Sequence, residues 1–307
     1  MRTAFIETLC ELAEQDERIW LLTADLGYSV LEGFAARFPA RFVNVGVAEQ
    51  NMTGVAAGLA LSGKIVFTYS IANFPIMRCL EQIRNDVCYH NLNVKIVAVG
   101  GGFTYGSAGY THHAIEDLAV MRAMPNMTVV APGDPVEAGL ATEAIVGRQG
   151  PCYLRLGKAN EPVVHQTEPE FQVGRAITVR EGGEVVLIST GGMLATAVRV
   201  ADALTAEGIS PRVLSMHTLK PLDVDAIQRA AETNLIVTIE EHGAIGGLGS
   251  ATAEVLAAKG CHPQLLTLNV GARHLATVGS QDYLRKCHGL DAESLSTSVI
   301  QAIEAAG

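Results

Sequence analysis

Apolar runs of strand length alternate with helix-period segments along almost the whole chain, and that alternation limits the possible folds more than any other feature. In the first half, residues 2–13 place Phe5, Leu9 and Leu12 on one face of a helix. Strand-length runs follow at 19–24, 42–45, 65–69, 94–99, 128–131 and 153–156, with helical segments at 49–61 and 76–89 between them. Strands separated by helices read as crossover units on a parallel sheet. From about residue 157 the pattern gives way to polar, proline-containing sequence (Pro162, Glu168, Pro169, Glu170). A second cycle then begins, with strands at 185–189, 211–215 and 235–240 and helices at 194–207, 224–232 and 250–259. The expectation is an α/β protein of two domains with mainly parallel sheets: residues 1–165, a linker at 166–183, and residues 184–307.

Charge removes one class of partner. Twenty-two Lys and Arg against 32 Asp and Glu leave a formal charge of -10, with no basic cluster to form a nucleic-acid-binding field. The six cysteines (10, 79, 88, 152, 261, 287) show no CxxC spacing and read as small buried hydrophobes in a reducing compartment. No apolar run approaches the ~18 residues that span a bilayer. The N-terminal segment has no signal-peptide core and carries Glu7, Glu11 and Glu14. A cytoplasmic protein without membrane contact is expected.

Three segments have chemical potential. Glu49 follows a strand and Gly46 and opens a helix of small apolar residues. A carboxylate there gains ~0.3–1 kcal/mol from the helix dipole. Apolar surroundings would let it share a proton with a bound base; from position alone, an exposed capping residue explains it equally well. The Gly-rich segment 100–113 follows a strand and ends in His112 and His113, the place where open α/β sheets put ligands. The third segment, Gly243 to Gly249, is an incomplete GxGxxG with Thr252 at the last glycine's place, and close packing accounts for it better than phosphate binding. Walker, HExxH, GxSxG and EF-hand signatures are absent from the sequence, as are metal-ligand clusters.

Around Glu49, the run Gly46-Val-Ala-Glu-Gln-Asn-Met52 resembles the transketolase family. Thr23-Ala24-Asp25-Leu26, Thr111-His112, Ala131-Pro132 and Leu219-Lys220-Pro221-Leu222 follow in family order. The resemblance covers the whole chain but only the C-terminal half of a full-length transketolase, and implies a pyrimidine-binding domain followed by the transketolase C-terminal domain. The Gly-Asp-Gly motif that anchors Mg²⁺ and the diphosphate in such enzymes is missing. The resemblance therefore implies the small subunit of a split, thiamine-diphosphate-dependent transketolase, with Mg²⁺ and diphosphate ligands on a partner subunit. It further implies a homodimer contact through the C-terminal domain within an α₂β₂ heterotetramer. Subunits resembling deoxyxylulose-phosphate synthase or 2-oxo-acid dehydrogenase E1β share the same plan, and a non-catalytic regulatory subunit is the reading from another class.

Residue by residue, the resemblance assigns Glu49 to the cofactor's aminopyrimidine, as the carboxyl that activates it. His112 matches a histidine near the cofactor's amino group, Asp25 an acidic residue of the cofactor channel, and Tyr69 or Phe74 the aromatic that stacks on the pyrimidine. Arg2, Ser29 and Arg155 fall where transketolases bind a sugar phosphate, and Arg78 is a further candidate of the deoxyxylulose-phosphate-synthase kind. Two departures bear on substrate. Ala108 stands where a hydroxyl-binding aspartate is usual, and Gly100 where a phosphate-binding histidine is usual. The expected donor is an anionic ketose other than the common pentose phosphates.

Overall fold

In the computed structural model, which describes residues 1–272 and 276–306, helices and strands interleave around two separate sheets. The first half contains α1 (Arg2–Gln15), β1 (Ile19–Thr23), α2 (Glu32–Arg37), β2 (Phe42–Asn44), α3 (Glu49–Leu61), β3 (Ile65–Ile71), α4 (Leu80–Gln82, running into a π-helical turn at Ile83–Cys88), β4 (Val94–Val99), α5 (Asp117–Ala123), β5 (Thr128–Val130), α6 (Pro135–Val146) and β6 (Cys152–Leu156). The second contains β7 (Ile177–Arg180), β8 (Val185–Ser189), α7 (Leu194–Ala206), β9 (Pro211–Ser215), β10 (Thr218–Lys220), α8 (Val224–Ala230), β11 (Leu235–Ile239), α9 (Leu248–Lys259), β12 (Gln264–Leu268), α10 (Gln281–Cys287) and α11 (Ala292–Ala306).

The seven-stranded sheet runs β10-β5-β6-β4-β3-β1-β2 and the five-stranded sheet β12-β11-β8-β9-β7, parallel except where β10 meets β5 and β7 meets β9. Central strands are apolar on both faces because helices cover both. All six residues of β4 are buried, Lys95 among them. Its ammonium donates to the carbonyls of Arg148 and Gly150, and burial pushes its pKa down. On one face α1 buries Phe5, Ile6, Leu9, Cys10 and Ala13 against the sheet, the i, i+4 stripe expected from its sequence.

Three expectations need correction. Helix 76–89 begins only at Leu80, because Asn73 Nδ2 donates to the carbonyls of Thr111 and His113 and holds residues 73–79 in a turn. The segment 166–183, expected as a linker, contains a strand as well as loop. Its approach is pinned where the amides of Val164 and His165 donate to Asp134, the N-cap of α6, and β7 lies inside the segment. The cysteines are free thiols, but Cys287 is exposed rather than buried.

The Gly243–Gly249 loop is used for packing, as its sequence suggests. Both oxygens of Glu240 accept from the amides of Leu248 and Gly249 at the start of α9, filling the place an anion would take. A Cβ at Gly247 would collide with that carboxylate. Among the described residues no helix is long and apolar enough to cross a membrane, and no three His, Cys, Asp or Glu are grouped to hold a metal ion.

Candidate active site

Glu49 is the first residue of α3 and is only 2% exposed, so it is not the exposed cap its position also allowed. The chain arrives from β2 through Gly46, whose φ of +74° suits glycine and swings the backbone into the helix. Its surroundings are not wholly apolar. Arg78 Nη1 donates to Glu49 Oε2 at 2.7 Å, while Oε1 has no partner among the described residues.

From that pair a row of side chains extends along the carboxyl edge of the first sheet. The Arg78 guanidinium lies 4.7 Å from the Phe74 ring centroid, a cation–π distance. Phe74 meets the His112 ring edge-on at 5.1 Å, and the rings of His112 and Tyr105 are 6.3 Å apart. Lys158 completes the row, its ammonium 5.0 Å from the Tyr105 centroid. The turn at 73–79 is what brings Phe74 and Arg78 to Glu49, and Asn73 ties that turn to the His112 loop. Sequence reasoning missed Lys158 and Tyr105. A lysine just past a strand's carboxyl end, four residues after Leu154, was the available signal.

The two aromatic candidates separate clearly. Tyr69 is 3% exposed, with its ring stacked on Phe5 at 6.0 Å, and burial pushes its hydroxyl's pKa far up. It is a core residue. Phe74 is half-buried and belongs to the row. The neighbouring histidines divide in the same way. His113 is buried, bonded through Nε2 to the Gly106 carbonyl, whereas His112 faces Phe74.

Asp25 and Ser29 sit on the exposed loop after β1, both in left-handed conformation (φ 57° and 58°). The Asp25 carboxylate and amide both bond Asn44 at the end of β2, and the Ser29 amide donates to Glu32. Arg2, half-buried at the start of α1, lies close enough to Tyr69 and Tyr105 to favour their ionised forms.

Arg155 is held by several partners. It is 4% exposed, and its Nε and Nη2 donate to Asp117, with Nη2 also reaching the carbonyls of Ala114 and Glu241. Tyr153 donates to the same Asp117 carboxylate at 2.6 Å. The cation that reaches the row from the same strand end is Lys158. The departure at Gly100 also has a physical counterpart. Gly100 has φ +100°, and a Cβ there would run into the Tyr105 ring, so Tyr105 fills the space a side chain at position 100 would need. Ala108 is exposed on a short 3₁₀ turn.

Residues 1–163 match the family described as transketolase, pyrimidine binding domain, and residues 174–295 the transketolase C-terminal domain. The chain is 40% identical to the 6-deoxy-6-sulfo-D-fructose transketolase subunit of Clostridium sp., covering 99% of this chain and 94% of that one. It is 43% identical over 258 residues to an apulose-4-phosphate transketolase subunit of Phocaeicola vulgatus, covering 83% of each. Among solved structures, a split-gene transketolase described as an inactive β4 tetramer superposes with a TM-score of 0.89 at 40% identity, covering 99% of this chain and 97% of that one.

Proposed function

The chain belongs to the transketolase family, and from that premise we propose that it supplies the aminopyrimidine half of a cofactor site shared with a partner subunit. It is the small subunit of a two-component, thiamine-diphosphate-dependent transketolase. The observation that carries the proposal is the Glu49 carboxyl, buried at a helix start with one oxygen held by Arg78 and the other unpartnered among the described residues.

That donor set fits an aminopyrimidine. Glu49 Oε1 holds a proton or hydrogen bond at a ring nitrogen, and a buried site strengthens that bond. Phe74 presents a ring to stack on, and His112 stands beside it within reach of an exocyclic amine. When bound, thiamine diphosphate supplies the carbon nucleophile that carries the two-carbon ketol unit. Among the described residues no three His, Cys, Asp or Glu are grouped to hold the metal at the other end of the cofactor. The Gly-Asp-Gly motif is absent from the sequence, so Mg²⁺ and the diphosphate fall to the partner. The active unit is accordingly an α₂β₂ heterotetramer, with self-association through the C-terminal half.

For the substrate, Arg2 and Lys158 at the Tyr105 end of the row offer cations to an anionic tail, with Arg78 able to join them once it leaves Glu49. Two relatives are named for anionic sugars, one a sulfonate and one a phosphate ester. Tyr105 in the space of residue 100, together with Ala108, supports a ketose other than the common pentose phosphates.

The test is a calorimetric titration of the purified chain with thiamine diphosphate and Mg²⁺, with and without the partner subunit. One stacked ring and one or two hydrogen bonds barely offset the ~4–15 kcal/mol of association entropy. The isolated chain should bind at about 1 mM or weaker and show no ketol transfer. Binding at about 1 μM by this chain alone would overturn the split-site reading.

A further inference from the structure

The edge of the second sheet carries an irregularity with an electrostatic consequence. Strand β7 is the edge strand and runs antiparallel to β9. Thr178 lies opposite Leu214, and a regular ladder would then set Arg180 opposite Arg212. The register instead slips by one residue, leaving Arg180 opposite Val213. A bulge of this kind keeps two like charges from facing each other and re-aims the side chains around it. Arg180 is taken by Asp202 of α7. Arg212 stands two residues before Leu214, so it shares that residue's face, on the side of α8. It is the second residue of β9, at the amino end of its strand, whereas the Glu49 row runs along the carboxyl edge of the other sheet.

A pocket of about 180 Å³ opens there between β7, β9 and α8. The Arg212 side chain is 29% exposed, but its Nε is buried and has no hydrogen-bond partner among the described residues. Glu181 Oε2 lies 3.6 Å from that Nε, on a side chain that is 82% exposed. This is too long for a hydrogen bond, and an exposed ion pair holds a guanidinium only weakly. Arg229, in the last turn of α8, lines the same pocket, and its guanidinium has no hydrogen bond or ion pair among the described residues. Two other acids of this corner are occupied. Asp223 caps α8 and also accepts from the Ala176 amide, and Asp225 is paired with Arg175. Thr178 brings a hydroxyl from β7. A buried donor without a partner costs desolvation, and native proteins nearly always satisfy one.

We propose that this pocket binds a tetrahedral oxyanion, phosphate or sulfate. Arg212 Nε would donate from β9, the Arg229 guanidinium from α8 and the Thr178 hydroxyl from β7, with Glu181 turned out to solvent. Charge-assisted bonds from two arginines supply the attraction, and donors from three elements surround one small ion. The bound ion would tie α8 to the sheet edge where the ladder is broken. No residue of the Glu49 row takes part.

The probes are sodium phosphate and sodium sulfate, each titrated into the full chain with ionic strength held constant by sodium chloride. Binding to the folded state alone raises the melting temperature and saturates. Against a formal charge of -10, half-saturation at about 1–10 mM is expected. The ion that saturates at the lower concentration is the preferred occupant. Arg229→Ala should weaken binding about tenfold, the size of one charge-assisted contact. Arg229→Glu, on the exposed last turn of α8, should abolish the saturable rise while the chain still folds. Lys158→Ala, on the Tyr105 row, should leave it as in the wild type. A rise that climbs without saturating, and equally in wild type and Arg229→Glu, is general ion exclusion and overturns the proposal. So does a saturable rise that survives Arg229→Glu and disappears in Lys158→Ala, since the ion would then sit at the row.

Discussion

Arg155 and Arg78 each grip a carboxylate at 2.7 Å, in settings that share little else. Arg155 and Asp117 are 4% and 0% exposed, and Tyr153 and two carbonyls complete the network. Arg78 is 47% exposed and reaches down to a carboxylate that is 2% exposed, with the Phe74 ring 4.7 Å from its guanidinium. A pair buried at both ends cannot exchange partners without leaving a charge stranded. A pair with one end in solvent can open at small cost, and the buried carboxylate is then available to a ligand.

The comparison is most exposed to Asp117→Ala. Removing one partner of a buried pair typically costs ~3–5 kcal/mol, read as a lower midpoint in urea denaturation. If Asp117→Ala does not fold, Asp117→Asn keeps an acceptor for Tyr153 and should show a smaller loss in the same direction. A loss below about 1 kcal/mol in both would erase the distinction drawn between the pairs.

Next comes Glu49→Gln, an isosteric change at the open pair. Ketol transfer by the reconstituted enzyme should drop about 100-fold or more, the scale of lost acid–base catalysis. The urea midpoint should barely move. Hydrogen exchange at the cofactor's reactive carbon is the direct readout, and an unchanged exchange rate would remove Glu49 from the chemistry.

A third pair, His165 with Glu137, adds a titratable cation. Their side chains are 7% and 0% exposed, and the hydrogen bond His165 donates to Glu137 raises the His165 pKa above its ordinary value. A group raised on folding stabilises fully below its unfolded pKa, and that contribution disappears as pH climbs through the raised, folded one. The melting temperature should therefore fall from pH 6 toward alkaline pH, across about two units. In His165→Gln this component of the slope should be gone. A wild-type slope in the mutant would show that other groups set it.

The smallest effect belongs to Arg78→Ala. Stability should change by no more than ~1 kcal/mol, while cofactor binding by the assembled enzyme changes detectably. Destabilisation as large as that of Asp117→Ala would erase the contrast between the two pairs.

The sequence disclosed the strands well, because parallel strands covered on both faces leave continuous apolar runs such as Val94–Val99 and Val185–Ser189. It disclosed Glu49 through a short motif and a helix start. The partner of Arg155 was not legible, because nothing at a strand end in sequence points to a buried aspartate 38 residues away. Choosing between Tyr69 and Phe74 needed the ring environment, which no local pattern encodes. Helix α6 carried a legible Asp134-Pro135 start, a capping residue followed by proline at the first helical position, that was passed over.

Strand β10 has a consequence for how far the two halves can be treated as parts. Thr218 and Lys220 pair with Val130 and Val129, closing the edge of the first sheet with a segment from the second half. The Lys220 ammonium fastens it further, on the carbonyls of Arg122 and Met124. A fragment ending near residue 165 would expose β5 as an unpaired edge, an invitation to self-association. During synthesis, the first sheet waits for residue 220 before its border is sealed. Exchanging C-terminal halves between relatives would therefore also exchange a border strand, so chimeras would need to carry β5 and β10 as a matched set.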